Sequence, residues 1–208
     1  DVGGMGGDPE LGDDFGISLA VGDFNGDTFD DLAIGVQGED DWKGAVHVVF
    51  GGRGGLAPAG SLLFMETDLG GLAEVFQYLA WAPAAADFDG DGRDDLAISI
   101  PNENDGTGKV SVIYGAAGSE GFDSSRNQFW SETSIWEAAA SESHDYFGMA
   151  LAAADFDQDG RDDLVIAHRW EALSGPEDGA ATVLMGSATG LSRARARLIA
   201  AGAAGFPG

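Results

Sequence analysis

The chain has 208 residues, with 36 Asp and Glu against 10 Lys and Arg, for a formal net charge of −26. The length suits one or two ordinary domains, and a hydrophobic share of 44% is that of a globular protein, not of a disordered acidic tail. The charge argues against nucleic acid, whose phosphates need basic partners, and against an anionic membrane surface; it favours cations.

With no cysteine, the chain has no disulfide and no thiolate metal site. No apolar run reaches the roughly 18 residues of a membrane-spanning helix, so no membrane insertion is expected. Residues 1–11 form an N-terminal extension. Its stretch DVGGMGGDPE has neither a basic segment nor an apolar core, so it is not a signal peptide. A first residue of Asp1 reads as that of a processed or partial product.

The first unit, 12–70, opens on DDFGISLA from Asp13. Strands are predicted at Phe15 to Val21, Leu32 to Gln37, Ala45 to Phe50 and Ser61 to Glu66, with the acidic loop DFNGDTFDDL from Asp23 between the first two. The third strand ends in glycine (GAVHVVFG), and a small turn follows at Gly55-Leu56. The second unit, 71–137, repeats this order: EVFQYLA from Glu74, DFDGDGRDDL from Asp87, LAISI from Leu96, GKVSVIYG from Gly108, then Gly121-Phe122. The segment TDLGGLAEVFQYLAWAP at its start has room for one helical turn; two glycines and a proline discourage more. The third unit, 138–200, runs DYFGMAL from Asp145, DFDQDGRDDL from Asp155, LVIAH from Leu164, GAATVLMG from Gly179 and Gly190-Leu191. A tail, 201–208, follows.

The acidic loops start 64 and 68 residues apart, and every flanking feature keeps phase with them, which is the signature of a repeat. Short strands at regular spacing with Gly- and Asp-rich turns make the chain all-β. Units of four antiparallel strands suit β-propeller-type blades, three in this chain. Three blades do not close a ring, since propellers need at least about four. The result is a partial propeller or an open blade array with two exposed faces. Such faces are met by a longer protein, by further chains closing a ring, or by head-to-tail stacking into a filament. Arg193, Arg195 and Arg197 alternate along the last strand. They either pair with an acidic neighbour in another protomer or protect an exposed edge.

Carboxylates at loop positions 1, 3, 5 and 9, with the backbone carbonyl of position 7, offer the hard oxygen donors that Ca²⁺ takes in numbers of about six to eight. Without a cation these charges repel. The expected ligands are Asp23, Asn25, Asp27 and Asp31 with the carbonyl of Phe29; Asp87, Asp89, Asp91 and Asp95 with the carbonyl of Arg93; and Asp155, Asp157, Asp159 and Asp163 with the carbonyl of Arg161. That makes about three sites, better suited to Ca²⁺ than to Mg²⁺, which resists dehydration. Asp30, Asp94 and Asp162, at position 8, are expected to point away and cap turns. Thr28 stands where the other loops have glycine, at a turn that needs positive φ, and Asn25 replaces a carboxylate; the first loop is expected to bind most weakly. The competing reading is of Asp-rich turns held by side-chain to backbone hydrogen bonds.

No nucleophile motif, HExxH or phosphate-cradling glycine loop is present, so no catalytic residue is expected and the chain reads as a non-enzyme. His47 sits at an alternating strand position, and His144-Asp145 is only an adjacency in sequence. The five tryptophans, Trp42, Trp81, Trp130, Trp136 and Trp170, either pack between blades or stack on carbohydrate.

On Phe15-Gly16, Phe147-Gly148, the three acidic loops and the glycine-ended strands, the chain resembles the FG-GAP repeat family, which builds the integrin α-subunit propeller and many bacterial surface proteins. The resemblance covers roughly residues 12–200. In the second unit Phe76-Gln77 stands where FG is expected, and the GAP element survives poorly as Gly35-Val36-Gln37, Ser99-Ile100-Pro101 and Ala167-His168-Arg169. The resemblance implies structural calcium in the loops. The function expected is a calcium-binding extracellular or cell-surface scaffold or adhesion module. Its blades assemble with other copies of itself or with another protein, or bind a surface ligand. The alternatives are an accessory propeller of a larger secreted hydrolase or lyase, or a carbohydrate-binding module. Scarce cytosolic calcium favours the extracellular setting, and a composition rich in Ala, Gly, Asp and Arg suits a bacterium of high G+C content.

Overall fold

The computed structural model describes residues 11–69, 78–118, 121–136, 143–169 and 179–200. These form twelve strands in three separate four-stranded antiparallel sheets, each a meander in sequence order. Blade 1 is β1 (Phe15–Gly22), β2 (Asp31–Val36), β3 (Ala45–Phe50) and β4 (Ala57–Met65). Blade 2 is β5 (Pro83–Ala86), β6 (Asp95–Ile100), β7 (Lys109–Gly115) and β8 (Phe122–Trp130). Blade 3 is β9 (Leu151–Ala154), β10 (Asp163–His168), β11 (Ala180–Met185) and β12 (Ser192–Ala200). Short helical turns occur at Glu39–Trp42, Glu103–Gly106 and Glu132–Trp136. The helical turn expected in TDLGGLAEVFQYLAWAP falls largely outside the described residues, as do Trp170 and Phe76-Gln77.

The first strands β1, β5 and β9 are neighbours across the blades; they line the inner side, as in a propeller. The two middle strands of each blade are the most buried, β6 at all six positions. Each blade's last hairpin carries a bulge: the pairing jumps from Phe50–Ala57 to Val48–Leu62, from Tyr114–Asp123 to Val112–Gln128, and from Met185–Ser192 to Val183–Arg197. The fourth strand of blade 1 therefore begins at Ala57, ahead of the expected Ser61, because pairing resumes on both sides of the bulge. The bulge also interrupts the alternation expected for Arg193, Arg195 and Arg197.

The cores lie between blades. One joins blades 1 and 2 through Phe24, Val48, Leu96, Ile98, Ile113 and Phe122. The other joins blades 2 and 3 through Phe88, Val112, Tyr114, Leu164, Ile166 and Leu191. Phe24 and Phe88, at position 2 of their acidic loops, are 0% exposed because each inserts into the following blade; Phe156, at the same position of the last loop, is 56% exposed. At the other end, β1 turns Phe15, Ile17, Leu19 and Val21 to the surface, each more than half exposed. The sheets do not close.

Candidate metal-binding loops and blade junctions

The three acidic loops sit between the first and second strands, next to the inner strands. In each, the position-1 carboxylate gathers backbone N–H groups from later in the loop. Asp23 accepts from Asp27 (3.0 Å) and Thr28 (2.8 Å). Asp87 accepts from Gly90 (2.7 Å), Asp91 (3.1 Å) and Gly92 (2.8 Å), and Asp155 from Asp159 (3.1 Å) and Gly160 (3.0 Å). Position 5 in turn accepts from the N–H of position 7: Phe29 onto Asp27, Arg93 onto Asp91 and Arg161 onto Asp159. These bonds draw the side chains of positions 1, 3 and 5 inward. Position 6 takes positive φ in all three, at 74° for Thr28 and 88° for Gly92 and Gly160, so a β-branched residue carries the strain in loop 1.

Carboxylate oxygens of Asp87, Asp89 and Asp95 converge within 4.8 Å of one another in loop 2, and those of Asp155, Asp157 and Asp159 do so in loop 3. Both groups are all-oxygen donor sets of the kind hard divalent cations prefer. In loop 1 the amide of Asn25 accepts from the Asp27 N–H at 2.8 Å. The position-9 aspartates have a second task. Asp31, Asp95 and Asp163 are each 1% exposed. One oxygen of each accepts from the position-2 phenylalanine N–H and the other from the glycine that ends the third strand, Gly51, Gly115 or Gly186, at 2.8 to 3.1 Å. Burial pushes the Asp95 carboxyl up to about 8; the Gly115 and Phe88 N–H groups pull it back, while Asp89 and Asp87 add to the rise. Burial likewise raises Asp31 and Asp163.

Asp30 is exposed, as expected for position 8, but Asp94 and Asp162 do not face away: they reach the preceding blade. Asp94 accepts from the N–H of Asp23 at 2.8 Å, and its own N–H donates to the Asp23 carbonyl at 3.1 Å. Asp162 repeats this on Asp87, at 3.2 and 2.9 Å. Arg93 packs along Gly26, and Arg161 along Gly90. Each junction is therefore tied by a buried phenylalanine, a two-bond aspartate link and an arginine laid over glycine. Phe29 and Gln158 occupy the corresponding arginine and glycine positions at the free ends.

Two further arginines reach the loops from the outer strands. Arg126 pairs with Asp89 at 2.5 Å. Arg195 pairs with Asp157 at 2.8 Å and with Asp159 at 3.4 Å. Arg193 donates to the Ser134 carbonyl at 2.8 Å. The sequence leaves these arginines either to pair with another protomer or to guard an exposed edge; the structure gives two of the three acceptors within the chain.

Elsewhere, His47 is 3% exposed, and burial lowers its pKa. His168 links Glu132 (2.9 Å) to the Thr182 hydroxyl (2.9 Å). This is the order of an acid–base relay, but Glu132, His168 and Thr182 are 2%, 3% and 0% exposed and form a buried tie between blades 2 and 3. Trp130 and Trp136 pack against the second core, whereas Trp42 and Trp81 are 38% and 39% exposed.

A family model described as FG-GAP repeat matches residues 15–49, 79–113 and 147–184. The chain belongs to the FG-GAP repeat family. The second FG-GAP match begins at Leu79, so Leu79-Ala80 stands in the FG place, three residues after the Phe76-Gln77 read from the sequence. Ala80 takes φ 60°, as Gly16 and Gly148 take 87° and 94°. Leu79 abuts Gly44 of blade 1, and Phe147 abuts Gly108 of blade 2, which adds a further tie to each junction. Among similar proteins, human phosphatidylinositol-glycan-specific phospholipase D is 33% identical over 148 residues, 69% of this chain and 17% of that protein. The rat protein of the same name is 32% identical over 66% of this chain and 16% of its own length. Chicken integrin alpha-V is 31% identical over 88% of this chain and 16% of its own length. The chain thus spans about a sixth of the length of these three relatives.

Proposed function

We propose that the chain is a calcium-binding, non-catalytic scaffold or adhesion module of an extracellular or cell-surface protein, and that its two open blade faces assemble with further blades. The observation that carries this reading is the contrast between Phe24 and Phe88, fully buried in the next blade, and Phe156, exposed at the same position. Phe156 borders a groove of about 430 Å³ with Val165, Val183, Met185 and Ile199. The opposite end offers the apolar face of β1 and Asp30, exposed at position 8. Copies of the chain stacking head to tail would re-form the phenylalanine and aspartate parts of the internal junction through Phe156 and Asp30, with Phe29 meeting Gln158 where the internal junctions lay arginine over glycine. The donor sets of loops 2 and 3 fit Ca²⁺. Asp87, Asp89, Asp91 and Asp95 would hold it in one and Asp155, Asp157, Asp159 and Asp163 in the other, with Asp23, Asn25, Asp27 and Asp31 as the weaker set and the carbonyls of Phe29, Arg93 and Arg161 completing the shells. The ion would neutralise the converging carboxylates and so stiffen the hairpins that carry the junction residues.

The similarity to a phospholipase D over this region favours a second reading, an accessory propeller within a larger secreted hydrolase. Particle mass by light scattering, in calcium and after chelation, separates the two. A defined oligomer or filament that dissociates on chelation supports assembly between chains. A calcium-loaded monomer overturns it in favour of blades supplied by a longer polypeptide. Identical mass and melting in both conditions, with no bound metal, overturns the calcium reading.

A further inference from the structure

Arg126 and Arg195 come from different blades and from the same structural position. The bulges span residues 58–61, 124–127 and 193–196, and the third residue of each is Gly60, Arg126 and Arg195. Gly60 takes φ 88° and has no side chain to send to its loop. Arg126 lies over the Tyr114 ring, 4.7 Å from its centroid, which fixes the guanidinium against Asp89, whose side chain is 3% exposed. Arg195 bridges positions 3 and 5 of loop 3. Within loops 2 and 3 the position-7 arginines also touch position 5, Arg93 on Asp91 at 2.6 Å and Arg161 on Asp159 at 3.7 Å. Arg126 and Arg195 add a second guanidinium from the outer strand to each of these carboxylate-rich loops. Among the described residues loop 1, with the poorest set and Phe29 at position 7, has no such ion pair.

Resting on the calcium reading above, we propose that Arg126 and Arg195 are built-in counter-cations that compete with the metal at loops 2 and 3. A guanidinium hydrogen-bonded to a carboxylate occupies a lone pair that the ion would use. Its charge also opposes a divalent ion a few ångströms away. The pair holds the loop compact when calcium is scarce and sets the calcium level at which the metal takes over. Affinity is thereby lowered where the carboxylate count alone would make it highest, and the three loops are brought closer together.

Calcium calorimetry and metal-free melting on the whole chain test this, with Arg126→Gln, Arg195→Gln and Arg126→Lys compared with the parent. Each glutamine variant should tighten one class of sites on the order of tenfold while lowering the metal-free melting temperature. Arg126→Lys, which keeps the charge, should stay near the parent. Arg195 is the more exposed of the two, so Arg195→Gln remains informative if Arg126→Gln fails to fold. Unchanged or weaker binding in Arg195→Gln and Arg126→Gln overturns the competition while leaving the calcium reading intact. Tightening in Arg126→Lys equal to that in Arg126→Gln also overturns it. Absence of calcium binding in every form, parent included, overturns both.

Discussion

At the scale of single residues, the chain uses carboxylates for three different purposes within one ten-residue loop. Positions 1, 3 and 5 face the loop interior, position 9 holds the blade's own backbone, and position 8 holds the blade before it. A fourth kind of carboxylate sits away from the loops. Glu66 is 1% exposed and lies 3.3 Å from the Lys109 ammonium, across the first junction. Burial first, and then Glu103, raise its carboxyl to about 7 against the opposing pull of Lys109. The folded state therefore favours the protonated acid. Its contribution is full below the unfolded value near 4.5 and is lost as pH rises through about 7. Thermal melting in chelator should fall between those two values, and Glu66→Gln should flatten that part of the profile; an unaltered slope would contradict the assignment. The inward positions were legible in the sequence because their partners lie within five residues. The position-8 link was not, because its partners are 71 and 75 residues away, and spacing within a loop carries no sign of what a side chain meets across a blade boundary.

At the scale of elements, the four-strand order of each blade could be read from apolar runs and glycine-ended strands, and β3 falls on the residues expected. What the sequence concealed is the bulge in the last hairpin, which needs the pairing partner to be seen. It decides that Arg126 and Arg195 reach back to the loops. The strand-ending glycines are required by close approach: a Cβ on Gly115 would stand 2.5 Å from the Asp94 carbonyl oxygen and 2.8 Å from that of Phe24 in the preceding blade. Gly115→Ala should cost about 1–3 kcal/mol through overpacking. Gly52→Ala, with nothing within 4 Å, should change stability by under about 0.5 kcal/mol. Denaturant titration of the two variants checks this, and equal losses would count against the junction geometry.

For the molecule as a whole, the three sheets are one design used three times with both ends left over. Composition and repeat length made the unclosed array legible; which residues form its ends became visible only when Phe24 and Phe88 proved buried and Phe156 exposed. Phe24→Ala should destabilise the chain by about 3–5 kcal/mol, as expected for a large core aromatic. Phe156→Ala should leave the melting of isolated chains near the parent value and abolish any self-association seen by light scattering. A large loss of stability in Phe156→Ala monomers would mean that the last face is already packed. The backward reach of Asp94 and Asp162 also imposes a direction on biosynthesis. A ribosome releases the first amide of loops 1 and 2 some seventy residues before the carboxylate that secures it. The nascent protein is thus latched one module behind the growing end, and its newest loop always waits for the next stretch to emerge.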